Sequence, residues 1–188
     1  MGTPGAGKKT GTLNATNIRA MAFYHPHGLV AAWKQAMLFA GEGGRIATLP
    51  DIVDARVATP RGGVAWNSYF TTASAEYYGL DRDGRPVVAV AHGIGPLATL
   101  ESCLKAYAKD GEGRRRTGRI SRDDFLRLLD GAWGEIHVVD WAAYVSRRGT
   151  GMIHVQLARE SAFDPWTVAR LGGPARAAGY LSLQACRA

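Results

Sequence analysis

The chain has 188 residues, 46% apolar and 21% charged, with only Cys103 and Cys186 as cysteines. That length fits one domain with a tail, and the composition excludes a disordered chain, a collagen-like repeat and a disulfide scaffold. Of the formal charge of +7, the whole excess sits in two segments: Lys8, Lys9 and Arg19 in residues 1–19, and Arg114, Arg115, Arg116, Arg119 and Arg122 against Glu112 in residues 112–122.

Residues 1–16 are rich in Gly and Thr and read as a flexible tail ahead of a single α/β domain over 17–188. Gly2–Lys8 has the spacing of a phosphate-binding loop, but only Met1 precedes it, so no strand can fix its base. Leu29–Ala40 is apolar nearly all round, which calls for burial in the core or against a partner or second copy. Lys34 and Gln35 interrupt it, and it falls short of the roughly 20 apolar residues that span a bilayer. No apolar core of signal-peptide length opens the chain. A soluble cytoplasmic protein without a membrane segment is the expectation.

Pro50 suits the first turn of a helix through Ala58, with Asp51 near its positive end. Trp66–Tyr78 places Phe70, Ala73 and Tyr77 on one helical stripe, which Gly79 would stop. Asp83-Gly84 marks a turn, and PVVAVA at 86–91 is a strand apolar on both faces. Such strands belong inside a covered sheet, most often a parallel one. Pro96 opens a helix carrying Leu97, Leu100, Leu104 and Tyr107, followed by a basic loop at 110–120. Ser121 with Asp124 predicts a capped helix whose apolar side is Phe125, Leu128 and Leu129.

Glu135–Val139 predicts a second strand, and Asp140 a cap for a helix with Trp141, Tyr144 and Val145 turned inward. Met152–Leu157 predicts a third strand. Asp164-Pro165 starts a short helix that Gly172-Gly173 ends, and Ala175–Ala185 closes the chain weakly helical. Strands alternating with helices from residue 84 onward predict a small, mostly parallel sheet of three or slightly more strands. Helices flank it, and the N-terminal third is helical.

Parallel strands would bring their carboxyl ends to one crevice, where ligands of open α/β sheets bind. His92 ends the first strand, Asp140 the second, and Arg159 follows the third. His92 would then serve as a general base oriented by Asp140, and Arg159 would neutralise an anion. Gly93 and Gly95 would let a ligand approach the backbone, with the N–H groups after Pro96 aimed at it. Asp140 as a plain helix cap is the competing reading. Residues 87–109 resemble the glycine-turn-helix segment of nucleoside phosphorylases, without that family's second glycine before the proline.

His25, His27, His137 and His154 show no metal-ligand spacing, so no metal site is expected, and no cofactor is identified. The functional expectation is a domain, with or without catalysis, that binds a small anionic or nucleotide-like ligand at His92–Pro96. The alternative is a non-catalytic interaction or assembly protein. It would use the basic tail and Arg114, Arg115, Arg116 and Arg119 to touch nucleic acid or an acidic partner, with Leu29–Ala40 seated on a partner or second copy.

Overall fold

A computed structural model describes residues 10–13, 18–21, 29–67, 70, 72–108, 119–148 and 164–185. Two short strands, β1 (Thr10–Leu13) and β2 (Ile18–Met21), pair antiparallel, so the described part of the segment expected as a tail is a strand. Helix α1 (Leu29–Ala40) follows, with Leu38 exposed.

Helix α2 (Leu49–Ala58) begins as its sequence predicts. The Thr48 hydroxyl accepts the Asp51 N–H, the Asp51 carboxylate accepts the Thr48 N–H at 2.7 Å, and Pro50 needs no partner in the first turn. Burial raises the Asp51 pKa, but paired bonds from Arg45 and those from Thr48 outweigh it and bring the carboxyl down to about 2.

The helix expected over Trp66–Tyr78 is not formed. Only α3 (Val64–Asn67) is helical there, and Ser74–Leu80 is strand β3. It pairs antiparallel with β4 (Pro86–His92), from Ser74 opposite His92 to Leu80 opposite Pro86. The turn between them is tied by Asp81, whose N–H donates to the Arg85 carbonyl and whose carboxylate accepts the Asp83 and Arg85 N–H groups. Gly79, expected as a helix stop, lies mid-strand with Phe125 against it; a Cβ there would meet the ring at 2.6 Å.

Helix α4 (Leu100–Ala108) starts four residues after Pro96, capped by Thr99, whose hydroxyl accepts the Ser102 N–H at 3.1 Å. Helix α5 (Arg122–Leu129) is capped by Ser121 as predicted. Strand β5 (His137–Asp140) leads directly into α6 (Trp141–Arg148), and α7 (Pro165–Leu171) is capped by Asp164 and ended by left-handed Gly172. Helix α8 (Pro174–Ala185) ends the described chain.

The main sheet runs β3-β4-β5 and is antiparallel throughout. This corrects the mostly parallel sheet expected from the sequence. The tight turn from β3 to β4 explains half of it, since parallel neighbours need a crossover of a dozen residues or more. The apolar run of β4 was read correctly as covered on both faces, but two helical layers on an antiparallel sheet cover it equally well. On one face Val87, Ala89 and Ala91 pack with Tyr77, Phe125 and Leu128; on the other Val88 and Val90 pack with Val139, Tyr144 and Ala169. A further cluster of Val53, Leu171, Ala177 and Tyr180 joins α2, α7 and α8. The strand expected at Met152–Leu157 lies outside the described residues. No described helix is long and apolar enough to cross a membrane.

Candidate functional site

The antiparallel sheet separates the residues that a parallel one would have gathered. Asp140 pairs opposite Val87, five positions before His92 on β4, which is about 17 Å along the strand. Its row also faces the other side of the sheet. Asp140 does what its helix-cap reading requires: its carboxylate accepts the Ala142 N–H at 2.7 Å. Arg159 lies outside the described residues, as do Arg114, Arg115, Arg116, His25, His27 and His154.

The glycine turn is knitted into the protein. Gly93 (φ 75°) and Gly95 (φ 102°) adopt the positive φ that glycine permits. The groups that approach them are the protein's own. A Cβ on Gly95 would lie 3.0 Å from the Tyr77 hydroxyl and 3.3 Å from Leu128, and one on Gly93 would lie 3.2 Å from the Thr48 methyl. The Gly93 N–H donates to the Ala73 carbonyl, Leu97 N–H to the Tyr77 hydroxyl and Ala98 N–H to the Gly95 carbonyl. Burial pushes the Tyr77 phenol up to about 12.

His92 is equally committed. Its Nδ1 lies 2.8 Å from the Ser74 hydroxyl and its Nε2 2.9 Å from the Ala169 carbonyl. A carbonyl can only accept, so Nε2 carries the proton, and in the neutral ring Nδ1 accepts from Ser74. Burial holds the His92 pKa below the ordinary histidine value, with His137 and Arg176 adding to that and Ala169 and Asp51 opposing it. A general base needs a free lone pair within reach of substrate; here that lone pair faces Ser74. Arg119 is exposed, and its N–H donates to the Ala106 carbonyl. Arg122 reaches back to the Leu80 and Asp81 carbonyls. Among the described residues no three His, Cys, Asp or Glu side chains gather as metal ligands would.

A different site stands out on the rim of the same sheet. Strand alternation puts Glu76, Tyr78 and Leu80 on the β4 face that carries Val88 and Val90. Helix α6 lays Trp141 and Tyr144 beside Tyr78, and Val145 follows at the i+4 position from Trp141 on the same helix face. Tyr78 meets Trp141 edge-on at 6.2 Å and Tyr144 at 5.4 Å between centroids; Trp141 and Tyr144 lie 5.2 Å apart. Trp166 of α7 underpins Tyr144 edge-on at 5.5 Å.

The polar ends of these rings are tied to one another. The Tyr144 hydroxyl donates to that of Tyr78 at 3.1 Å, Tyr78 donates to the Glu76 carboxylate, and Arg170 pairs with the other Glu76 oxygen at 3.0 Å. Burial, and then the bonds to Glu76 and Tyr144, push the Tyr78 phenol well above its usual range. Arg170 also lies over the Trp166 ring at 4.7 Å.

The result is a surface of mutually contacting rings that water still reaches. Tyr78 is 47% exposed, Leu80 47%, Trp141 37% and Val145 41%, while Tyr144 beneath them is 2% exposed. Sequence reasoning turned Trp141 and Val145 inward because the helical stripe fits a core face. Only Tyr144 of the three is buried, packed on Val88, Val90 and Val139 of the sheet. The signal available in the sequence was the density of aromatic residues in WAAY.

No family model matches this chain, and no curated protein does. A solved structure described as the accommodation of massive sequence variation in Nanoarchaeota by the C-type lectin fold is similar to it. The two are 22% identical, with a TM-score of 0.64 over 84% of this chain and 69% of that one. Identity at this level speaks for the fold alone, and it agrees with the antiparallel sheet against the parallel one expected. The chain has the fold of a C-type lectin.

Proposed function

We propose that the chain is a non-catalytic recognition domain that grips a protein partner through Tyr78, Leu80, Trp141 and Val145. The observation that carries this reading is the interlocked aromatic rim, half-exposed and yet fixed by ring contacts and by the Tyr144–Tyr78–Glu76–Arg170 chain. Rigid aromatic side chains supply contact area at small entropic cost, which is why they anchor interfaces. The chemistry of the partner follows from the polar groups. Both tyrosine hydroxyls and the carboxylate are engaged with each other, and the flanking residues are aliphatic. Such a face suits apolar side chains of a protein better than the many hydroxyls of a saccharide.

The fold supports the same reading. The similar structure is described as a C-type lectin fold that accommodates massive sequence variation, and a fold tolerant of such variation suits a recognition domain. Cytoplasmic residence belongs to this proposal too, supported by the sparse cysteines.

Peptide-library display against the intact chain tests the reading. The expected result is selection of peptides with aliphatic or aromatic anchors, whose affinity falls about tenfold or more in Trp141→Ala. Selected binders indifferent to Trp141→Ala would overturn it. Binding that weakens with salt and with serine at Arg114, Arg115, Arg116 and Arg119 would move the contact to the arginine segment, also against the proposal. Self-association lost in Trp141→Ala would identify the partner as a second copy.

A further inference from the structure

The outer edge of β3 carries a row of backbone groups, most of them without a partner among the described residues. Two bonds bracket the β3–β4 ladder: the Gly93 N–H donates to the Ala73 carbonyl at 2.7 Å, and the Asp81 N–H to the Arg85 carbonyl at 2.9 Å. Residues that exchange bonds in an antiparallel pair alternate along the strand, so Ala75, Tyr77 and Gly79 turn their N–H and C=O groups toward β4. Those of Glu76, Tyr78 and Leu80 point the opposite way. On that side β3 is the last strand of the described sheet. Of these groups only the Leu80 carbonyl is engaged, by Arg122 at 3.5 Å.

The edge lacks the usual guards. Edge strands are commonly closed with lysine, proline or a bulge, because an open row of N–H and C=O groups is a template for another chain. From Ser74 to Leu80 the register with β4 runs without a bulge, and the sequence SAEYYGL holds neither lysine nor proline. Its single charge, Glu76, is tied to Tyr78 and Arg170. Closure comes only at the two ends. Ahead of the open run, the Ala73 N–H donates to the Ala47 carbonyl and the Ser74 hydroxyl accepts the Leu49 N–H; behind it, Arg122 holds the Leu80 and Asp81 carbonyls. The opposite edge, β5, is four residues long and passes straight into α6.

We propose that the β3 edge receives an extended segment of a partner protein as an added strand, whose alternate apolar side chains lie against Tyr78 and Leu80. This rests on the recognition reading above and names the form its partner takes. The added strand runs about 4.8 Å from β3 and places every second side chain on the face that bears Glu76, Tyr78 and Leu80. Backbone bonds supply affinity and the rim selects the side chains, as in strand addition generally. Aliphatic or aromatic residues fit best, since Tyr78 and Leu80 are half-exposed and the Tyr78 hydroxyl is already engaged with Glu76. The size of the edge favours one segment over a second copy. Its outward residues are Glu76, Tyr78 and Leu80. Two folded domains that stay together bury roughly 1,200 Å² or more in total, beyond the reach of so short a ladder.

Amide exchange and NMR shifts of the intact, isotope-labelled chain test this with one probe, the end-blocked peptide Thr-Val-Thr-Tyr-Thr-Val-Thr. In the free chain the N–H groups of Glu76, Tyr78 and Leu80 are expected to exchange rapidly, and those of Ala75, Tyr77 and Gly79 slowly. Saturating peptide should slow the first set about tenfold or more and move the Leu80 methyl and Trp141 indole signals. N-methylation of the peptide at the alternate residues whose N–H groups face β3 should weaken binding about tenfold, and at the intervening residues should be tolerated. Edge amides that keep their free exchange rates overturn the proposal; if the Leu80 and Trp141 signals still move, recognition by the rim survives without the strand. Edge amides protected while Trp141 stays unmoved keep the strand and remove the rim reading. Edge amides already slow in the free chain, or slowing as its concentration rises, mean that the chain itself or a second copy fills the edge, and overturn the proposal too.

Discussion

The glycine turn after β4 and the aromatic rim between β3 and α6 belong to one sheet and use their residues in opposite ways. At the turn, features that attract a ligand in other settings are spent inside the protein. Gly95 makes room for Tyr77 and Leu128, and both ring nitrogens of His92 hold neighbouring elements. At the rim, residues that look like core material face water, while their polar ends satisfy one another. Residue type alone therefore did not separate scaffold from surface. What separates them is where each hydrogen bond ends.

The largest effect is expected from Gly95→Ala. Its positive φ and the close approach of Tyr77 and Leu128 together should cost about 3 kcal/mol in urea unfolding. A cost near about 1 kcal/mol, the strain of the backbone alone, would mean the turn has spare room and would reopen it as a ligand site. Asp140→Ala comes next. Loss of the cap on α6 should cost about 1 kcal/mol by the same measurement. An unchanged stability there would show that Asp140 does not serve as a cap. The smallest effect belongs to the rim: Leu80→Thr should change stability by less than about 0.5 kcal/mol, because the side chain is half in water. A loss of about 2 kcal/mol would turn the rim into core and remove the contrast between the two regions.

The legible parts of the fold were those whose cause is local. Pro50 with Asp51, Ser121 with Asp124, and Asp164 with Pro165 mark helix starts because each signal acts within a single turn; the Thr48 cap on the first of these came from the structure. The run PVVAVA at 86–91 announced a strand covered on both faces, and β4 is that strand. Misreadings began where two segments had to find each other. Phe70, Ala73 and Tyr77 fit a helical stripe, but Ser74–Leu80 gains more by pairing with β4 across a tight turn. Strand direction was beyond reach for the same reason, and with it went the meeting of His92 with Asp140.

By itself, then, the sequence determined where most helices begin and which strand is central. Tertiary structure decided the antiparallel order, the inward commitment of His92 and the outward presentation of Tyr78 and Trp141. Caps and apolar runs are settled by neighbours along the chain. Pairing direction and exposure depend on contacts between residues far apart in it, such as Tyr78 with Tyr144 and His92 with Ala169, which no local pattern encodes.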